Sequence, residues 1–216
     1  MAVSEDRRSQ ARTDRAGFSF VYRLTLALLK PAVAWWGRLE ISGAELLPRT
    51  GPVLLVVNHD SGWDPPIIGL GTASRRQITA MARSSLWKPR PMGWAMDQMR
   101  QIPVDREAGG GPALEIAAAR LRAGECVGLF PEGMISRGRT LPVRSGAGRL
   151  ALEVPEAVIV CAAITGSTAL ARFPRRPRLR VEFFLPASGP SRPGESAAEL
   201  TARLVAEIRA ISPPAG

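Results

Sequence analysis

Between residues 52 and 211 the chain repeats one pattern: a short apolar run, a polar break, then a segment of helix length. Val53–Val57 (VLLVV) is wholly apolar and too short for a core helix, so it reads as a strand buried on both faces. Residues 78–82, 102–104, 126–130, 157–164 and 179–185 read as further strands. Helices are predicted over 65–71, 91–99, 112–123, 146–153 and 197–211. Asp64 is the expected N-cap of the first, with Pro65 at its first helical position, and Gly124 closes the third. Strands alternating with helices imply an α/β fold: a single domain with a mixed, largely parallel sheet flanked by helices. No internal repeat and no linker divides it, and 216 residues suit one such domain.

The amino-terminal segment is of another kind. Residues 1–16 are polar and arginine-rich and are expected to form a mobile arm. Residues 17–37 are the most apolar stretch, but Arg23, Lys30 and Pro31 interrupt them. A spanning helix needs about 20 nearly uncharged residues, and a signal peptide needs a longer apolar centre than 24–29 provides. Arg8, Arg15, Arg23 and Lys30 recur every seven or eight residues and would share one helical face. Phe18, Phe20, Val21, Leu24, Ala27 and Leu28 cover much of the remainder, and Trp35 and Trp36 follow. The pattern fits an amphipathic helix in a membrane interface, basic side toward phosphates, or the same helix packed on its own domain.

The formal net charge is +10, and only Lys30 and Lys88 are lysines. That excess suits nucleic acid, anionic lipid or a phosphorylated substrate, and arginine-rich composition alone could also produce it. Cys126 and Cys161 form no CxxC pair and are expected as buried free thiols, so neither a zinc site nor a disulfide scaffold is expected. No RNA-binding aromatic signature, G-x-S-x-G elbow, G-x-G-x-x-G or P-loop is present.

Polar residues follow three of the apolar runs at once. Asn58-His59-Asp60-Ser61-Gly62-Trp63-Asp64 follows the first, Asp105-Arg106-Glu107 follows 102–104, and Pro131-Glu132-Gly133 follows Phe130. Parallel strands would bring His59, Asp64, Asp105, Arg106 and Glu132 to one rim, where open α/β sheets bind ligands. His59 is the sole histidine, so any mechanism needing an imidazole must use it. A carboxylate on one ring nitrogen fixes the tautomer and leaves the other nitrogen free to take a proton. Asp64 is five residues away across a tight turn, and Asp60, next to the histidine, is a rival partner. Arg106 at a strand end suits phosphate; Glu132 could accept substrate hydroxyls or hold that arginine. Residues 134–149 add Arg137, Arg139, Arg144 and Arg149 without an acid.

These blocks carry a resemblance. N-H-x4-D at 58–64, V-D-R at 104–106 and F-P-E-G at 130–133 resemble, in order and spacing, the glycerolipid acyltransferase family that acylates lysophosphatidic acid. The resemblance covers about residues 40–190. It implies direct acyl transfer from an acyl thioester (acyl-CoA or acyl carrier protein) to 1-acylglycerol 3-phosphate, giving phosphatidic acid, with no metal and no cofactor. His59 would be the general base and Asp64 would orient it, while Arg106, Glu132, Gly133, Arg137 and Arg144 would bind the acceptor and its phosphate. The domains implied are an arm and interfacial segment over 1–37, an acyltransferase domain over 38–211 and a flexible tail over 212–216. The partners implied are the thioester donor, a lysophospholipid acceptor and an anionic membrane surface, not nucleic acid, with the protein peripheral or monotopic on the cytoplasmic face of the cell membrane.

Two departures stand out. Where the family continues T-R-S after F-P-E-G, this chain has Met134-Ile135-Ser136, and Val160-Cys161-Ala162 replaces a V-P-V block. Two alternatives therefore stay open: the same chemistry on another hydroxyl, such as a glycolipid sugar or a specialised metabolite, and a basic module that binds anionic lipid or nucleic acid without catalysis.

Overall fold

The computed structural model describes residues 17–105, 110–170 and 176–214. Among these, the strands are β1 (Glu40–Ser42), β2 (Val53–Val57), β3 (Ile78–Arg83), β4 (Ile102–Val104), β5 (Cys126–Leu129), β6 (Val158–Thr165) and β7 (Arg180–Phe184). They form one sheet in the order β1-β7-β6-β2-β5-β3-β4. Every pairing is parallel except that of β6 with β7. The helices are α1 (Phe20–Lys30), α2 (Asp64–Thr72), α3 (Arg90–Gln98), α4 (Gly111–Arg122), α5 (Gly146–Glu153) and α6 (Ala197–Ile211). The expected mixed, mostly parallel α/β sheet is the one observed.

β2 shows why the apolar run folds as it does. Successive side chains of a strand point to opposite faces. Leu54 and Val56 join a core with Leu121 of α4, Leu150 of α5 and Leu204 of α6. Val53, Leu55 and Val57 join a second core with Ile67 and Ile68 of α2. A central strand covered on both faces has no place for a polar residue, which explains five apolar residues in succession. Truncating Leu54 or Leu55 to Ala would cost about 2–5 kcal/mol. β1 escapes sequence analysis because all three of its residues are exposed at the sheet edge, leaving no apolar period to detect.

α1 is capped by Ser19, whose hydroxyl accepts the Tyr22 amide at 3.1 Å. Tyr22 and Leu26 are buried. They lie over Gly69 of α2, where an added Cβ would come within 3.0 Å of Leu26 and 3.1 Å of the Tyr22 hydroxyl. Pro31 ends the α-helix and begins a π-helical turn, Pro31–Trp36. A proline supplies no amide, so the ladder resumes in the wider register, with Gly37 N–H to Ala32 O at 3.1 Å and Leu39 N–H to Ala34 O at 3.2 Å. The packing takes only one stripe of α1: Phe20 (77% exposed), Leu24 (46%) and Leu28 (72%) face outward, as does Trp35 (69%). Arg23 and Lys30 are exposed, while Arg8 and Arg15 lie outside the described residues. Among the described residues, no helix is long and apolar enough to cross a membrane.

At the other end, α6 opens with a capping box between Ser196 and Glu199. Gly148 lets α5 approach its start, since a Cβ there would lie 2.0 Å from the Ala197 carbonyl oxygen. Ser212, the first residue of the expected tail, is buried and donates to the Ile164 carbonyl at 2.7 Å.

Candidate active site

The parallel register builds the site. The offset that pairs Val56 of β2 with Leu129 of β5 also relates His59 to Glu132, three residues beyond that pair. The His59 amide donates to Glu132 Oε2 at 2.7 Å, and the His59 carbonyl accepts from the Ser136 amide at 2.7 Å. Both backbone groups of the histidine are therefore tied to the turn after β5. Its ring stacks on Phe130 with centroids 4.2 Å apart.

Asp64 is the partner of the imidazole: Nδ1 lies 3.0 Å from Asp64 Oδ2. The same oxygen accepts the amides of Asp60 at 2.7 Å and Ser61 at 2.8 Å, and Asp64 is wholly buried. The expected N-cap role is not what its carboxylate performs. Pro65 and Pro66 have no amide to offer, and the Ile67 amide is already bonded to Trp63 O at 3.0 Å. The carboxylate is thus free to turn back across the loop toward His59. With Nδ1–H donated to Asp64, Nε2 carries the lone pair of the ring, and His59 lines a large cleft.

Asp60, the rival, points elsewhere. Arg209 of α6 grips it bidentately, Nη1 to Oδ2 at 2.8 Å and Nη2 to Oδ1 at 2.9 Å. Asn58 donates to it at 2.9 Å, and the Ser136 hydroxyl makes a short hydrogen bond to Oδ1. Burial works to raise the Asp60 pKa, but the hydrogen bonds from Arg209, Ser136 and Asn58 outweigh it and hold the group below its ordinary value. Glu132 is also buried, and Oε1 accepts from both Nε and Nη2 of Arg209. There burial wins over the pull of Arg209, and the pKa is raised. The arginine held by Glu132 is thus Arg209, and Glu132 is not among the residues lining the cleft.

The cleft has a volume of about 900 Å³, within the range of about 300–1,000 Å³ usual for ligand sites. Its walls are mainly apolar: Tyr22, Leu26 and Leu29 of α1, Leu86 after β3, and Met92 and Met96 of α3. Gly133 lines it in a left-handed conformation (φ 66°), with the stem of Arg144 lying where a Cβ would come within 2.9 Å of it. Exposed arginines Arg83, Arg144 and Arg149 also line it. Arg137 does not, although it is exposed nearby in chain order. Ile135, standing where the resemblance placed an arginine, does line it. Arg106 lies outside the described residues, but Val104 and Gly110 on either side of that segment line the cleft. Among the described residues no cluster of side chains could hold a metal ion.

A family profile for acyltransferases matches residues 38–165, more than half of the chain and all of the turns just described. The chain belongs to the acyltransferase family. It is 29% identical over 147 residues to the 1-acyl-sn-glycerol-3-phosphate acyltransferase of Bacillus subtilis, covering 68% of this chain and 72% of that one. It is 30% identical over 140 residues to the mouse 1-acyl-sn-glycerol-3-phosphate acyltransferase alpha, covering 63% of this chain and 48% of the mouse protein. In fold it matches the crystal structure of the Thermotoga maritima 1-acyl-sn-glycerophosphate acyltransferase, with a TM-score of 0.62 over 84% of this chain and 77% of that chain at 20% identity. This acyltransferase is therefore an enzyme, not a bare binding module. Arg209, which completes its ionic network, lies beyond the segment that the profile matches.

Four residues of the site carried little signal in sequence. Arg83 ends an apolar strand, so the rule that picked out His59 and Glu132 could have found it. Ser136 lies inside the basic stretch, and Asn58 stands out only as the first residue of N-H-x4-D. Arg209 is 77 residues from Glu132 and 149 from Asp60, and nothing local marks it.

Proposed function

We propose that the enzyme transfers a fatty acyl group from an acyl thioester, on coenzyme A or acyl carrier protein, to the hydroxyl of a 1-acylglycerol 3-phosphate, giving phosphatidic acid. The observation that carries this is the His59–Asp64 pair opening onto an apolar cleft of about 900 Å³ that also presents exposed arginines. The relatives with matching names support the choice of acceptor. His59 Nε2 takes the proton of the acceptor hydroxyl as its oxygen attacks the thioester carbonyl carbon. The tetrahedral intermediate collapses with cleavage of the C–S bond, and the thiolate leaves with the proton held by the imidazolium. Asp64 orients the ring and stabilises its positive charge while it exists.

Apolar walls suit the acyl chain, and Arg83, Arg144 and Arg149 on the cleft suit the phosphate; the resemblance adds Arg106 to them. Gly133 leaves room for the stem of Arg144 on the cleft that His59 also lines. Glu132 bonds the histidine backbone, so its part is to hold the turn. α1 forms one wall of the cleft and turns Phe20, Leu24 and Leu28 outward, which suits seating on the cytoplasmic face of an anionic membrane where acceptor and product reside. The alternative acceptor, another hydroxyl such as that of a glycolipid sugar or a specialised metabolite, draws on Ile135 occupying the cleft in place of an arginine.

The test is thiol release from palmitoyl-CoA by the purified protein with a panel of acceptors. Release should depend on 1-acylglycerol 3-phosphate and yield phosphatidic acid. Release only with a glycolipid favours the alternative, and loss of thioester without any acceptor contradicts both.

A further inference from the structure

Among the described residues, Arg209 is the one cation that joins both turns of the site. It bonds Asp60, the neighbour of the base, and Glu132, which receives the amide of the base. Ser136 closes the ring by donating its hydroxyl to Asp60 and its amide to the His59 carbonyl. The last turn of α6 is itself sewn in. Arg209 Nη1 reaches the Ser212 carbonyl at 3.3 Å, the Ser212 hydroxyl donates to Ile164 O at 2.7 Å, and Asn58 bonds that same carbonyl at 2.9 Å. Removing the guanidinium would leave two buried carboxylates facing each other without a counter-charge.

We infer that Arg209 is a positioning residue for the general base, acting through Asp60 and Glu132 on the backbone of His59 and having no contact with substrate. The inference rests on the assignment of His59 as base. Arg209 lines no part of the cleft, so its loss lowers kcat and leaves the KM values for thioester and acceptor within about threefold. A misplacement of about 1 Å at a reacting group can cost about a hundredfold in rate. Lysine at this position keeps the charge and loses the fork that binds two carboxylates at once.

His59 is the only histidine, so imidazole signals in a nitrogen–proton NMR spectrum come from it alone. The experiment compares wild type, Arg209→Lys and the double variant Arg209→Met/Asp60→Asn, which removes one carboxylate with the cation, each checked for folding by thermal melting. The wild type should show a downfield Nδ1–H resonance from the bond to Asp64. Arg209→Lys should broaden or shift it and lower kcat about tenfold; the double variant should lose it and lower kcat about a hundredfold. A folded variant with an unchanged resonance, with kcat within twofold of wild type, or with its loss confined to KM overturns the inference. The NMR arm needs no acceptor, so failure to acylate 1-acylglycerol 3-phosphate refutes the proposed substrate and leaves this result standing.

Discussion

Asp64→Asn isolates the charge of the carboxylate from its shape. Asp64 Oδ2 accepts two backbone amides, at 2.7 and 2.8 Å, beside the imidazole at 3.0 Å. Those amides favour the oxygen of an asparagine in the same place, so the Nδ1–H tautomer survives the change. What disappears is the negative charge facing the imidazolium that forms as His59 takes a proton. Unit charges 3 Å apart at an effective dielectric of about 20 interact by about 5 kcal/mol, and an amide dipole keeps part of that. A net loss of about 3–4 kcal/mol corresponds to a fall in kcat of about 10²–10³. The new NH2 would sit at Oδ1, which has no partner among the described residues. An unsatisfied buried donor costs about 1–3 kcal/mol, or a few degrees to about 10 °C in Tm for a domain of this size. Steady-state thiol release at 25 °C, well below the melting transition, measures kcat and KM separately. A kcat within threefold of wild type, or a loss confined to KM, would refute the reasoning.

Three further outcomes are expected. Phe20→Ser with Leu28→Ser should weaken co-sedimentation with phosphatidylglycerol vesicles at least tenfold, because burying each side chain contributes about 1.5–3 kcal/mol; unchanged binding would remove α1 from the membrane contact. Gly133→Ala forces a left-handed backbone at about 1–2 kcal/mol and pushes on Arg144, so the acceptor KM should rise severalfold while the donor KM stays constant. Burial pushes the thiols of Cys126 and Cys161 and the phenol of Tyr22 each up to about 12. The unfolded chain releases these protons from about pH 9 for thiols and pH 10 for the phenol, so it binds fewer protons than the folded chain and stability falls as pH rises from about 9 to 12. Urea unfolding across that range should show the fall, and Cys126→Ala should make it shallower.

The fold was legible because the central strands β2, β5 and β6 are buried on both faces and read as short apolar runs, as VLLVV shows. β1 was not, since an exposed edge strand of three residues has no period. Within the site, the parallel register made it possible to expect His59 and Glu132 on one rim. The choice between Asp60 and Asp64 depended on where a turn directs two carboxylates, and that was settled by the prolines that follow Asp64 and by Arg209. Arg209 itself was invisible because its partners are distant in sequence and its helix shows only an ordinary amphipathic pattern. The positive charge was similarly opaque: Arg76 is buried and donates to the carbonyls of Pro48, Gly51 and Gly124, whereas Arg144 opens on the cleft. Counting charges cannot separate those two uses of arginine.

The proposed reaction depends on one imidazole, and replacing it is the most direct measurement. Wild type and His59→Ala should be compared for transfer of a labelled acyl group from palmitoyl-CoA to 1-acylglycerol 3-phosphate, with melting curves confirming that both are folded. The wild type should give acceptor-dependent phosphatidic acid, and kcat of the variant should fall by about 10²–10⁴ through loss of the base. Phosphatidic acid formed by His59→Ala at a rate close to wild type would contradict it.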